Sequence, residues 1–334
     1  MADERVPCAE ARDLCQYFDV KTGTFSNVKK TVKAVDHVSL AIARGETLGI
    51  VGESGCGKTT LGKTMLYLEK PTSGKVFLNG QDLSELSREE LRRTRSDMQI
   101  VFQDPFSSLN GRLTVGTMLT EPMLAHRLCT KAEAQKRAAE LLDMVGLRAF
   151  HLNRYPHEFS GGQRQRIAIA RALATNPKFI VCDEAVSALD VSVQASILNL
   201  MQQLKRELGL TYLFISHDLS VVRHVSDRIG VMYLGTIIEL GQSEEMFRRR
   251  MHPYTQALFA AAPVPKPGAK KEHVLLTGDV PSPIDLPAGC RFHGRCPACM
   301  DVCRQTEPKL RELAPGYFCA CHLYDQEVKH AEDK

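Results

Sequence analysis

Gly52-Glu53-Ser54-Gly55-Cys56-Gly57-Lys58-Thr59 has the residue types and spacing that cradle phosphates. The glycines let backbone N–H groups curl around an anion where a Cβ would obstruct. Lys58 can reach the β- and γ-phosphates, and the Thr59 hydroxyl can ligate Mg2+. The apolar run Leu48–Val51 comes before the loop, and Leu61–Leu66 reads as a helix start after it. Strand, glycine loop and helix start form the setting this chemistry needs, with the helix N-terminus adding partial positive charge. The expected ligand is a nucleoside triphosphate.

Two further stretches carry chemistry. Phe179–Cys182 is an apolar strand ending in Asp183 and Glu184. Acids at the carboxyl end of a strand sit in the crevice where open α/β sheets bind ligands. Asp183 is therefore expected to hold Mg2+, directly or through water, and Glu184 to polarise a water that attacks the γ-phosphate. Ser160-Gly161-Gly162-Gln163 opens the helical run Arg164–Arg171. Ser160 can cap that helix, and the two glycines bare its first N–H groups as a second anion site. One chain needs one phosphate cradle, so the second is expected to complete another molecule's site. Cys56 sits inside the loop at a helix N-terminus, a setting that can lower a thiol pKa.

The elements that position these residues alternate in type. Leu48–Val51, Phe179–Cys182 and Tyr212–Ile215 read as strands apolar on both faces, as in parallel sheets covered by helices. The fold class is α/β. Ile229–Tyr233 with Thr236–Glu239 reads as an edge hairpin, and Val76–Leu78 with Asn79-Gly80 as the end of an antiparallel strand. Between Gln103 and Ser160 the pattern is helical. Ser87-Arg88-Glu89-Glu90 and Thr130-Lys131-Ala132-Glu133 read as capped helix starts, the second followed by Ala138, Leu141, Leu142 and Val145 on one face. Pro263–Gly268 reads as a linker.

A chain of 334 residues has room for a large core and two or three structural units. A net charge of +4 is mild and argues against dedicated nucleic-acid binding. No apolar run approaches the ~18 residues of a membrane helix. The N-terminus lacks the pattern of a signal peptide, so a cytosolic protein is expected, with any membrane role coming through a partner. Cys290, Cys296, Cys299, Cys303, Cys319 and Cys321 crowd together. In a reducing compartment such a group suggests a metal more than disulfides.

The loop, Gln103, Ser160-Gly161-Gly162-Gln163, Asp183-Glu184, Ser187-Ala188-Leu189-Asp190 and His217 occur in the order of the ATP-binding cassette (ABC) family, which residues 10 to 262 resemble. The resemblance implies an ABC-type ATPase core at residues 1–262, with a mixed sheet, an antiparallel part and a helical subdomain at about 104–172. It implies two cassettes meeting head-to-tail, each ATP held between one cassette's loop and the other's serine-glycine signature. Gly52, Ser54, Gly55, Cys56, Gly57, Lys58, Thr59 and Thr60 would line the nucleotide, with Phe18 stacking on adenine beside Tyr17. Thr59, Gln103 and Asp183 would hold Mg2+. Glu184, His217, Lys58 and Gln103 would be the catalytic set, with His217 on the γ-phosphate. Ser160, Gly161, Gly162 and Gln163 would act on the partner's ATP, and Asp190 would cross the dimer interface. Ala185 follows Glu184 where the family usually has proline, and Gly111 follows Asn110 where a proline is also usual.

Thr60-Leu61-Gly62-Lys63, Gln103–Asn110 and His252–Leu258 narrow the resemblance to ATPase subunits of bacterial dipeptide/oligopeptide importers, nearest the second of the two. That implies a sister ATPase as heterodimer partner, two transmembrane permease subunits, an extracytoplasmic peptide-binding protein, and a peripheral position on the cytoplasmic face of the membrane.

The residues 263–334 form a cysteine-rich region. The spacing C-x5-C-x6-C-x17-C through Cys290, Cys296, Cys303 and Cys321 suits an iron–sulfur cluster or structural zinc. Cys296 and Cys299 form a single C-x2-C pair, and Cys299 or Cys319 could substitute as ligands. The family resemblance favours a [4Fe–4S] cluster.

Other classes remain in view: a soluble cassette protein acting on nucleic acid or ribosomes, an importer ATPase for nickel or glutathione, and a redox-sensing metal protein. The first usually carries two cassettes or a long coiled-coil insertion, and this sequence has neither. The complete acid, histidine and signature set argues against the last.

Overall fold

The computed structural model describes residues 6–21, 29–104, 108–261 and 281–325. The linker 263–268, the boundary expected at 262/263 and residues 105–107 lie outside them. The chain divides into two compact units, one of Met1–Glu10, Ala41–Thr47 and Phe77–Ile215, the other of Ala11–Leu40, Leu48–Val76 and Ser216–Lys334.

In the first unit Met98–Val101, Phe179–Asp183 and Thr211–Ile215 pair in parallel, with Met98 opposite Phe179 and Phe179 opposite Thr211. Every residue of the latter two strands is buried. Burial on both faces is why they read as unbroken apolar runs rather than alternating ones. Helices Val115–Ala125, Lys131–Met144 and Gly161–Leu173 occupy the stretch expected to be helical. Ser87 and Thr130 each form a full capping box, with Glu90 and Glu133 as the returning acids. Ala138, Leu141, Leu142 and Val145 are all buried, as their spacing requires. Phe77–Leu78 turns through Asn79 (φ 51°) and Gly80 (φ 84°) to pair antiparallel with Gln81–Asp82.

In the second unit the strand Thr47–Val51, from Leu48 onward, runs parallel to Arg228–Tyr233. Arg228–Tyr233 forms the expected hairpin with Thr236–Gln242. The hairpin is not an edge, which corrects the sequence reading. Tyr317–Cys319 pairs antiparallel with Thr236–Gln242, placing Cys319 opposite Glu239 and Phe318 opposite Leu240. Arg311–Ala314 then pairs with Tyr317–Cys319. Ile237 to Gly241 are all buried, and a strand so apolar with open backbone groups needs a covering partner.

Candidate functional site

The phosphate loop follows Val51, and its last glycine starts the helix Lys58–Met65. Gly57 caps that helix in the left-handed region at φ 106°, where a Cβ would lie 1.9 Å from the Ala34 carbonyl oxygen. No other residue fits there. Lys58 is buried and its Nζ donates to the carbonyls of Gly52 (2.8 Å) and Glu53 (2.9 Å). The ammonium is thus folded onto its own loop, while Ser54, Gly55 and Thr59 are exposed. Thr60 is half-buried and its carbonyl accepts from the Thr64 hydroxyl.

Cys56 lies under the loop rather than on it, 4 % exposed, with Lys58 Nζ 3.7 Å from its sulfur. Burial pushes its thiol pKa up, and the Lys58 charge opposes this without winning. The helix N-terminus therefore does not make it a low-pKa thiol. His217 is exposed just after Ser216, whose N–H donates to the Ile50 carbonyl at the end of the loop strand. Tyr17 donates its hydroxyl to Asp36, whereas Phe18 is 37 % exposed. Of the two adjacent aromatics, Phe18 is the more exposed and Tyr17 is half-buried.

In the other unit Asp183 ends its strand buried, and Glu184 follows with φ 48°. A left-handed glutamate costs of order 1–3 kcal/mol and persists where its surroundings impose it. Its N–H donates to Ile215 O at 3.0 Å, and its carbonyl accepts from Ser187 N and Oγ. Gln103 Nε2 donates to its carboxylate Oε2 at 2.8 Å. Ala185, standing where proline is usual, is buried.

Ser160 caps Gly161–Leu173, its hydroxyl accepting from Gln163 N and its own N–H donating to Gln163 Oε1. Gly161 and Gly162 are helical; a Cβ on Gly162 would fall 2.4 Å from a Val193 methyl. Asp190 caps Val191–Leu208 without a side-chain bond and is exposed, and Val191 beside it is 84 % exposed.

The cysteine segment packs within the unit that holds the phosphate loop. Arg291, beside Cys290, is buried and donates to Asp36 Oδ2, Leu234 O and Glu307. Burial alone would raise the Asp36 pKa, but the hydrogen bonds from Tyr17 and Arg291 outweigh it and hold the carboxyl below its usual range. Arg295, beside Cys296, pairs with Glu53 of the loop. Tyr254 adds its ring to an aromatic cluster with Tyr233 and Phe292, and its hydroxyl accepts from Glu53 N at 2.9 Å. Glu239, fully buried, accepts from Met251 N, His252 N and the Tyr317 hydroxyl. Sequence reasoning passed over Arg291, Arg295 and Glu239. The available signal was an arginine beside each of two cysteines.

Cys290, Cys296, Cys303 and Cys321 all lie within electrostatic reach of one another, and Cys299 reaches Cys290 and Cys296. Burial raises Cys290 to about 11 and Cys321 to about 12 as thiols. Cys319 sits in its strand beside Glu239 and also within reach of Cys321. Among the described residues no three cysteine sulfurs of this segment lie within 4.8 Å of one another. Cys15, Asp36 and His37 do come that close, but Arg291, Lys33 and Tyr17 already occupy the carboxylate.

No described helix is long and apolar enough to cross a membrane. The family profile described as "ABC transporter" matches residues 35–187, and "Oligopeptide/dipeptide transporter, C-terminal region" matches residues 238–303. The oligopeptide transport ATP-binding protein AppF of Bacillus subtilis is 54 % identical over 318 residues, covering 94 % of this chain and 97 % of AppF. Among solved structures, the dimeric ATP-binding cassette MJ0796, bound to ADP and Pi in a post-hydrolysis state, is 32 % identical at a TM-score of 0.61. It covers 70 % of this chain and 98 % of that one. The cbiO1 cassette of Clostridium perfringens, part of the cbiONQ transporter complex, is 27 % identical at a TM-score of 0.63, covering 73 % and 92 %.

Proposed function

The chain belongs to the ATP-binding family of ABC transporters, and we propose that it is the ATP-hydrolysing subunit of an importer that carries dipeptides or oligopeptides. The peptide reading rests on the AppF likeness and on the transporter C-terminal region at residues 238–303. The single observation that carries hydrolysis is Glu184, set at φ 48° and oriented by Gln103.

Hydrolysis of a phosphoanhydride needs positioning and charge neutralisation more than covalent help. Lys58 moves from its loop carbonyls to the β- and γ-phosphates. The exposed N–H groups around Ser54 and Gly55 face the same anion, and Phe18 stacks on the adenine. Thr59, Gln103 and Asp183 offer the oxygens that would hold Mg2+, which when bound neutralises phosphate charge. Glu184 takes or orients the water proton, and His217 contacts the γ-phosphate. Ser160 to Gln163 act on a partner's ATP. Exposed Asp190 and Val191 suit a head-to-tail contact with a sister ATPase. Two permease subunits, served by an extracytoplasmic binding protein, complete the assembly at the cytoplasmic face.

The residues 1–262 form the cassette and 263–334 the cysteine-rich region in this reading. Cys290, Cys296, Cys303 and Cys321 are the proposed ligands of a [4Fe–4S] cluster. That they lie within electrostatic reach of one another supports it, and so does their spacing. Four cysteine thiolates would suit such a cluster, and structural zinc is the alternative occupant.

Co-purification and reconstitution test the transport reading. Two integral membrane proteins should accompany the chain, and in proteoliposomes with the binding protein, peptides should stimulate ATP turnover. Stimulation by nickel or glutathione alone would replace the peptide substrate, and nucleic acid in place of membrane proteins would remove the transport reading.

A further inference from the structure

Arg295 ties the cysteine segment to the phosphate loop. Its guanidinium is 8 % exposed and takes both carboxylate oxygens of Glu53, Nη1 to Oε2 at 2.9 Å and Nη2 to Oε1 at 3.1 Å. A planar fork on a carboxylate fixes orientation as well as charge. Glu53 is the loop's second residue, and its other polar groups are also held: its N–H donates to the Tyr254 hydroxyl, and its carbonyl accepts from Lys58 Nζ. The carboxylate is 27 % exposed, so without Arg295 it would add negative charge beside a bound triphosphate.

The arginine does not float free. It precedes Cys296 directly, and Arg291, which follows Cys290, anchors the same segment to Asp36 and to the Leu234 carbonyl. The loop residue that shares Lys58 is therefore held by an arginine 242 residues away in sequence.

We infer that Arg295 is a positioning residue for the nucleotide. It neutralises Glu53 and fixes the loop backbone, so that Lys58 exchanges its carbonyl partners for phosphate without the loop collapsing. ATP affinity is then set in part by the cysteine segment. This rests on the reading that Gly52–Thr59 holds ATP.

Titration of the full chain with a fluorescent ATP analogue and Mg2+ tests it. Arg295→Met should weaken binding roughly 5- to 150-fold, the usual span of coupling between two sites. Arg295→Lys, which keeps charge but loses the fork, should fall between the two. The double variant Arg295→Met with Glu53→Gln should return to within about twofold of Glu53→Gln alone, since the charge that needed Arg295 is gone. Turnover at saturating ATP should change far less than affinity, because Arg295 touches no reacting atom. Lys58→Ala separates the two levels of the argument. If it binds as tightly as wild type, the loop reading itself fails. If Lys58→Ala is impaired while Arg295→Met and Arg295→Lys bind like wild type, or if Arg295→Met loses as much in combination with Glu53→Gln as it does alone, the role of Arg295 is overturned. Should Arg295→Met not fold, Arg295→Lys with and without Glu53→Gln carries the same comparison.

Discussion

Gln103 and Glu184 are joined side chain to side chain, amide Nε2 to carboxylate Oε2 at 2.8 Å, at the ends of neighbouring parallel strands. The bond fixes the carboxylate beside the strand ends. Glu184→Gln keeps an acceptor for Gln103 but loses the base. It should bind ATP and dimerise normally while turnover falls about a hundredfold to ten-thousandfold. Near wild-type hydrolysis would take the role away from Glu184.

Gln103→Ala removes the orienting donor and leaves the base. Turnover should fall by about tenfold or more, with Mg–ATP affinity affected less, because Thr59 and Asp183 would still hold Mg2+ while the orienting donor is lost. Steady-state kinetics over a range of ATP separate the two. Equal losses in affinity and turnover would instead point to Gln103 serving mainly in binding.

Gly162 sits tight against Val193, and a Cβ there would fall 2.4 Å from a Val193 methyl, which would have to shift. Gly162→Ala should lower thermal stability by about 1–3 kcal/mol despite alanine's better helix propensity. Adding Val193→Ala should recover most of the loss. A stable, fully active Gly162→Ala would show that this helix pair has slack.

His252 is buried and neutral, its Nδ1 accepting from Tyr254 N at 3.0 Å. Burial lowers its pKa from 6.5 to about 3. The unfolded chain gains a proton below about 6.5 while the folded one does not, so this share of stability is present at neutral pH and lost as pH falls toward 3. Melting at about pH 7 and pH 5 should show a smaller drop for His252→Gln than for wild type. An equal drop would assign the acid sensitivity to other groups.

Anaerobically purified protein should absorb broadly in the blue and contain iron. Cys296→Ser should lose both, while Cys319→Ser keeps them, because Cys319 is committed to its strand beside Glu239. A colourless wild type loaded with zinc would reassign the four thiols.

The strands and the loop were legible because each rests on a local pattern. Phe179–Asp183 is apolar throughout since it is covered on both faces, and the glycine loop has the order that phosphate demands. Capping at Ser87, Thr130 and Ser160 was equally local. Tyr317–Cys319 was not legible: three residues in a cysteine-rich stretch carry no period, and their pairing comes from Thr236–Gln242 far upstream. Arg295 and Arg291 read as ordinary charged residues until folding brings Glu53 and Asp36 to them. Cys56 went the other way, since its helix-terminal position suggested reactivity and its burial removes it.

The pairing of Tyr317–Cys319 with Thr236–Gln242 also bears on how the chain reaches its folded state. Partners so distant in sequence meet late, after nearer contacts have formed, and such pairings slow folding. Until they meet, an apolar strand shows a bare edge that could pair with a second chain as readily as with its own. Any condition that delays the cysteine segment would then lengthen exposure of that edge, and its first visible effect would be aggregated protein rather than slower ATP turnover.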